Sequence, residues 1–179
     1  MGQHESTDTE SGISRRVFCI GMNKTGTSTI KHCFRVLQLT PIASPTTYSP
    51  EVLKSIHHFY DRKNYGDMLK LAERYKSFED RPWNMWSMYR HLHERFPDSL
   101  FILTVRDAES WWRSTERWIT ITKPEVLSRY QLHLRVQQPS KESMTESYHR
   151  YNAEVEAYFA GTGQLLTMNI ENGDGWAPL

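Results

Sequence analysis

Residues 21–29 read Gly-Met-Asn-Lys-Thr-Gly-Thr-Ser-Thr, a glycine-bounded run of amide, amine and hydroxyl side chains suited to holding an oxyanion. Phosphate loops of the form G-x-x-x-x-G-K-[ST] cradle phosphates with backbone N–H groups and reach the terminal one with the lysine. Gly21, Gly26 and Ser28 fit that frame, yet Thr27 stands where the lysine belongs. The amine here is Lys24, two residues before the second glycine. A strand passing through such a turn into a helix aims N–H groups and the positive helix end at one point. Asn23, Lys24, Thr25, Gly26, Thr27 and Ser28 are therefore the expected anion-binding residues. A plain strand–turn–helix corner would leave five hydroxyl or amine side chains around one glycine unexplained.

A second constellation lies in "FILTVRDAESWWRST", where a strand runs into Arg106-Asp107 and Ser114 follows eight residues after Arg106. That spacing is a little over two helical turns. A forked guanidinium and a serine hydroxyl can converge on one more oxyanion. Read alone, the pair is a surface corner and a solvated helix residue. Read with the Gly21 loop, it implies a ligand carrying two separated phosphates.

These residues need elements to position them. "RVFCIG" is a short apolar run ending at glycine, as a buried strand does. Ile30, Cys33, Phe34 and Leu37 then recur at i, i+3, i+4 and i+7, an amphipathic helix. "TPIASPTTYSP" reads as a loop where a substrate mouth would lie. A helical stretch runs from Glu51 to about Tyr75 with a break near Gly66, and "KSFED" is a short strand. Pro82 suits the first residue of a helix reaching His93. "SLFILTV" is the clearest strand, and a helix carries Trp111, Trp112 and Trp118. Helical patterns cover 124–137 and 141–159, and "QLLTMNI" is the last strand. Such alternation predicts an α/β fold, a three-layer P-loop-type parallel sheet flanked by helices. Its ligands gather at the carboxyl ends of the strands.

Composition narrows the function. The chain has 179 residues, enough for one domain from residue 15 onward. Its 22 Lys and Arg against 21 Asp and Glu create no overall field toward nucleic acid or membrane. Cys19 and Cys33 read as core thiols in a reducing, cytoplasmic setting rather than a disulfide framework. No apolar run approaches the roughly 18–20 residues of a transmembrane segment. Residues 1–14 are polar and turn-rich, the composition of a disordered leader. They fit the N-myristoylation pattern through Gly2 and Ser6. Only Arg15 and Arg16 supply a second membrane signal, and one acyl chain anchors weakly. An unmodified leader is expected.

The motifs carry a resemblance. "GMNKTGTST" resembles the 5′-phosphosulfate loop of the sulfotransferases that use 3′-phosphoadenosine-5′-phosphosulfate (PAPS), in which lysine precedes T-G-T. "VRDAESWWRS" is similar to their 3′-phosphate motif. "LLTMNIENGDGWAPL" resembles a C-terminal segment of the small P-loop sulfotransferase-like proteins, so the likeness spans residues 17–179. It implies a PAPS donor with no metal, and one in-line transfer of the sulfuryl group to a hydroxyl or amine. The acceptor is a small molecule or glycan that the sequence does not specify. Lys24 would stabilise charge on the bridging oxygen of the leaving nucleotide, and Arg106 and Ser114 would hold the 3′-phosphate. The family's base is a His, Glu or Asp. Asp80 in "KSFEDRPW" is the candidate here, ending a strand at the ligand edge on the Phe78 side, with Glu79 on the other. Its competing role is the N-cap of a helix at Pro82, and His57 and His58 are alternative bases. Trp111, Trp112 and Trp118 are expected to pack the core and rim, the competing role for one of them being a place beside the adenine. Relatives usually continue past "GWAPL", so the family's C-terminal end is expected to be lacking. Two rival readings are a P-loop kinase or NTPase with Asp107 on magnesium, and a non-catalytic nucleotide-binding relative. The displaced lysine and the position of Arg106 count against the kinase.

Overall fold

The protein is described by a computed structural model over residues 15–121 and 134–179. Five strands form one parallel sheet: β1 (Val17–Cys19), β2 (Ile42–Ala43), β3 (Ser77–Phe78), β4 (Leu100–Thr104) and β5 (Leu165–Met168), in spatial order β2-β3-β1-β4-β5. Among the described residues the helices are α1 (Thr27–Val36), α2 (Pro50–Asp61), α3 (Tyr65–Ala72), α4 (Met88–Arg95), α5 (Ala108–Ile121) and α6 (Lys141–Phe159). This is the predicted three-layer α/β arrangement. Because β1 is central, with β3 on one side and β4 on the other, the strand order switches there. The carboxyl ends of β1, β3 and β4 open on one crevice, the place where such sheets bind ligands.

Strand alternation assigns the two faces. Phe18 and Ile20, Phe78, Phe101 and Leu103 point to the face covered by α2 to α6. Cys19, Ile42, Ile102 and Met168 point to the other, against Ile30 and Phe34 of α1. Phe18 stacks on Phe78 at 4.1 Å and on Phe101 at 5.4 Å between ring centroids, tying the three central strands together. Truncating such a ring to alanine typically costs about 3–5 kcal/mol.

The helical stretch at 51–75 is broken near Gly66 as expected, at residues 62–64, where Lys63 turns left-handed (φ 54) and Asn64 caps α3. Two expectations are corrected. Ile42 and Ala43, read as loop, are buried and pair with Ser77 and Phe78 as the edge strand. No helix starts at Pro82. After Asp80 the chain makes successive turns, with Trp83 N–H on the Asp80 carbonyl at 3.0 Å and Met85 N–H on the Pro82 carbonyl at 3.2 Å, and α4 begins at Met88. The reason is burial: Trp83, Asn84, Met85 and Trp86 are all inside, and an amphipathic helix cannot bury four consecutive side chains. The expected helix at 124–137 falls mostly, and the leader at 1–14 wholly, outside the described residues.

Candidate active site

The Gly21–Thr29 loop leaves β1 lying directly on β4. A Cβ on Gly21 would sit 1.9 Å from Thr104 Oγ1 and 2.6 Å from the Thr104 backbone N and O, so glycine is required. Lys24 (φ 72) and Gly26 (φ 102) then take left-handed conformations that curl the chain into the start of α1. Among the described residues, no N–H of residues 23–28 donates to a protein acceptor; the first to do so are Thr29 and Ile30, both onto the Gly26 carbonyl. Unpaired N–H groups at a helix start form a concavity for an anion.

The loop's side chains divide. Thr25 faces inward: its hydroxyl donates to the Met22 carbonyl at 2.5 Å and pairs with the Thr104 hydroxyl at 2.6 Å. What Thr25 offers a ligand is thus its N–H. Thr27 is buried and Ser28 exposed. A cleft of about 200 Å³ lies over Asn23, Lys24 and Gly26–Ser28, walled by Asp80, Arg81 and Trp118. The Lys24 ammonium sits over the Trp118 ring, 5.1 Å from its centroid. Burial lowers its pKa below that of an ordinary lysine, and the Asp80 carboxylate works against that shift. Trp118 is the rim tryptophan.

Asp80 stands across this cleft in a left-handed conformation (φ 64). Its Oδ1 accepts from the Asn23 amide at 2.5 Å and from the Arg81 N–H at 2.7 Å. The predicted capping role does not apply, since α4 starts eight residues later. Glu79 points to the opposite face, as alternation required, and is almost fully buried. Its carboxylate accepts from Ser44 Oγ at 2.7 Å and lies 3.7 Å from the Lys31 ammonium. Burial, helped by Asp80's charge, raises its pKa against the pull of Ser44, Lys31 and Thr27. Of the alternative bases, His58 is exposed on α2, and the His57 side chain lies outside the described ones.

Arg106 follows β4, and the Tyr148 hydroxyl of α6 clamps its backbone, accepting from its N–H at 2.8 Å and donating to its carbonyl at 3.0 Å. Tyr148 stacks on Trp111, whose indole N–H donates to the Asn23 carbonyl at 3.0 Å. One aromatic pair thereby sets both the Arg106 backbone and the Gly21 loop. The Arg106 guanidinium reaches the Lys24 carbonyl at 3.3 Å and makes a two-pronged ion pair with Glu171. Ser114 is half-buried in the middle of α5, with no hydrogen bond to Arg106. The C-terminal turn Ile170–Asn172 completes the arrangement, with Ile170 Cδ1 so close to Gly26 that a Cβ there would come within 2.7 Å of it.

The sulfotransferase domain profile matches residues 16–135, well over half of the chain. The chain belongs to the sulfotransferase domain family. No curated protein matches it. Sulfuryl transfer is the chemistry of the family, and the matched span of this sulfotransferase domain holds the Gly21 loop, Asp80, Arg106 and Ser114. Tyr148 and Glu171 lie beyond that span and were not anticipated: Tyr148 is one aromatic in a helical pattern and Glu171 one acid in a polar tail. Glu79 was visible only as the residue facing away from Phe78. Among the described residues no helix is long and apolar enough to cross a membrane.

Proposed function

We propose that this sulfotransferase domain transfers the sulfuryl group of PAPS to a hydroxyl or amine of a small-molecule or glycan acceptor. The observation that carries the reading is a single cleft lined by Asn23, Lys24 and Gly26–Ser28, in a loop whose N–H groups at residues 23–28 have no acceptor among the described residues, and by Asp80. The N–H groups and Ser28 receive the 5′-phosphosulfate. The acceptor oxygen attacks sulfur in line while the bond from sulfur to the bridging oxygen breaks. The electron pair goes to that oxygen, where the Lys24 ammonium meets the developing charge. Asp80 takes the acceptor's proton. Arg106 and Ser114 hold the 3′-phosphate, which displaces Glu171 from the guanidinium fork. Cys19 and Cys33 are free and buried, and burial pushes the Cys19 thiol up to about 12, the state of an inert core thiol.

Calorimetry with 3′-phosphoadenosine-5′-phosphate (PAP), without metal, against AMP and ATP–Mg²⁺ tests this. A charge-assisted contact worth roughly 1.5–3 kcal/mol implies a preference for PAP over AMP of about tenfold to a hundredfold. Equal affinity for AMP would remove Arg106 and Ser114 from the 3′-phosphate. A strict magnesium requirement with ATP would restore the NTPase reading.

A further inference from the structure

Asn23 belongs to the expected anion-binding set, but its side chain is turned elsewhere. It is 9 % exposed, and its amide nitrogen lies 2.5 Å from Asp80 Oδ1. A carboxylate only accepts, so the group facing it must be the NH₂, which fixes the amide's orientation. The amide oxygen is left buried with no partner. That cost is out of place for a residue present only to pack. Asp80 itself is left-handed, and its two side-chain hydrogen bonds both bear on Oδ1, which leaves Oδ2 for the cleft.

Resting on the transfer reading above, we infer that Asn23 is a positioning residue: its amide locks the Asp80 carboxylate to the donor loop, beside Lys24. In-line transfer needs the attacking oxygen, sulfur and leaving oxygen aligned, and an ångström of misplacement can cost about a hundredfold in rate. Asp80 governs the attacking side and Lys24 the leaving side. They come from different strands, and the Asn23–Asp80 hydrogen bond makes them one unit. The Asn23 carbonyl, held by Trp111, anchors that unit to α5.

The test uses the full chain, PAP affinity by calorimetry, thermal melts, and radiolabelled sulfate transfer from PAPS to a panel of phenols. Asn23→Ala is expected to bind PAP within about twofold of the parent while turnover falls about 10- to 100-fold. In an Asp80→Asn background the same change is expected to remove nothing further, since residues acting as a unit are not additive. Asn23→Asp is expected to lower the melting temperature by setting two carboxylates together. Adding Asp80→Asn should restore it, because amide and carboxylate then merely exchange places. PAP affinity that falls in step with turnover in Asn23→Ala would make Asn23 a donor ligand and overturn the inference. So would multiplicative turnover losses, or an exchanged pair no more stable than Asn23→Asp alone. A parent chain that binds no PAP would instead sink the transfer reading on which the inference rests.

Discussion

Lys24 occupies a left-handed position that ordinary L-residues adopt at a cost, and that conformation is what lifts its side chain over Trp118 at the cleft wall. A partly desolvated ammonium acts more strongly on a nearby charge than one in bulk water. The bridging oxygen gains its charge only as the bond to sulfur breaks, so the interaction belongs to the transition state. Lys24→Ala is therefore expected to lower turnover by about 10²- to 10³-fold, and to weaken PAP binding much less. Lys24→Arg should recover part of the loss, since a planar guanidinium replaces a compact ammonium poorly in a tight loop. Full activity in Lys24→Ala, measured as labelled sulfate transfer, would refute the role given to the loop.

At the scale of elements, the turn after β5 closes the site from the far side of the sheet. Ile170 packs at Gly26 while Glu171 takes both prongs of Arg106. The guanidinium therefore serves two anions in competition, a carboxylate from the chain itself and the nucleotide's 3′-phosphate. The Arg106 side chain is 24 % and the Glu171 side chain 46 % exposed, so water screens the pair and its worth is at most about 1 kcal/mol. Glu171→Gln should tighten PAP by no more than about fivefold. Arg106→Ala should weaken it by about tenfold to a hundredfold, and Ser114→Ala by less. Calorimetry on the three variants decides the matter: weaker PAP binding in Glu171→Gln would show that the carboxylate orients the fork rather than competing for it.

For the molecule as a whole, the fold also buries charge next to the site, and Glu79, beside Ser44 and Lys31, is where stability registers it. Its folded-state pKa is raised, chiefly by burial. A carboxyl with a raised folded pKa is easier to protonate folded than unfolded. Its contribution is then fully present below the unfolded value near pH 4.5 and falls as pH rises toward the folded one. The melting temperature of the parent minus that of Glu79→Gln should accordingly become more negative as pH rises above the unfolded value, because the amide does not titrate. A difference that stays flat with pH would show that Ser44 and Lys31 compensate the buried charge in full.

The sequence by itself determined the layered α/β class, the extents of the strongest elements and the strand–turn–helix corner after β1. It did so because those are local: period-two alternation chooses a sheet face, 3.6-residue periodicity marks α1, α5 and α6, and the run from Gly21 to Thr29 fixes a strand–turn–helix corner by its own composition. Two-residue strands such as β2 leave too few positions for a period, so Ile42 and Ala43 looked like loop until β3 paired with them. Pro82 looked like a helix start until burial of the next four residues overrode local preference. The partners of the site residues were decided by tertiary structure alone. Asn23 meets Asp80 from 57 residues away, and Glu171 meets Arg106 from 65. Tyr148 reaches the Arg106 backbone only because α6 packs on α5. No short-range pattern encodes such pairings, because they depend on which strand ends the sheet order brings side by side.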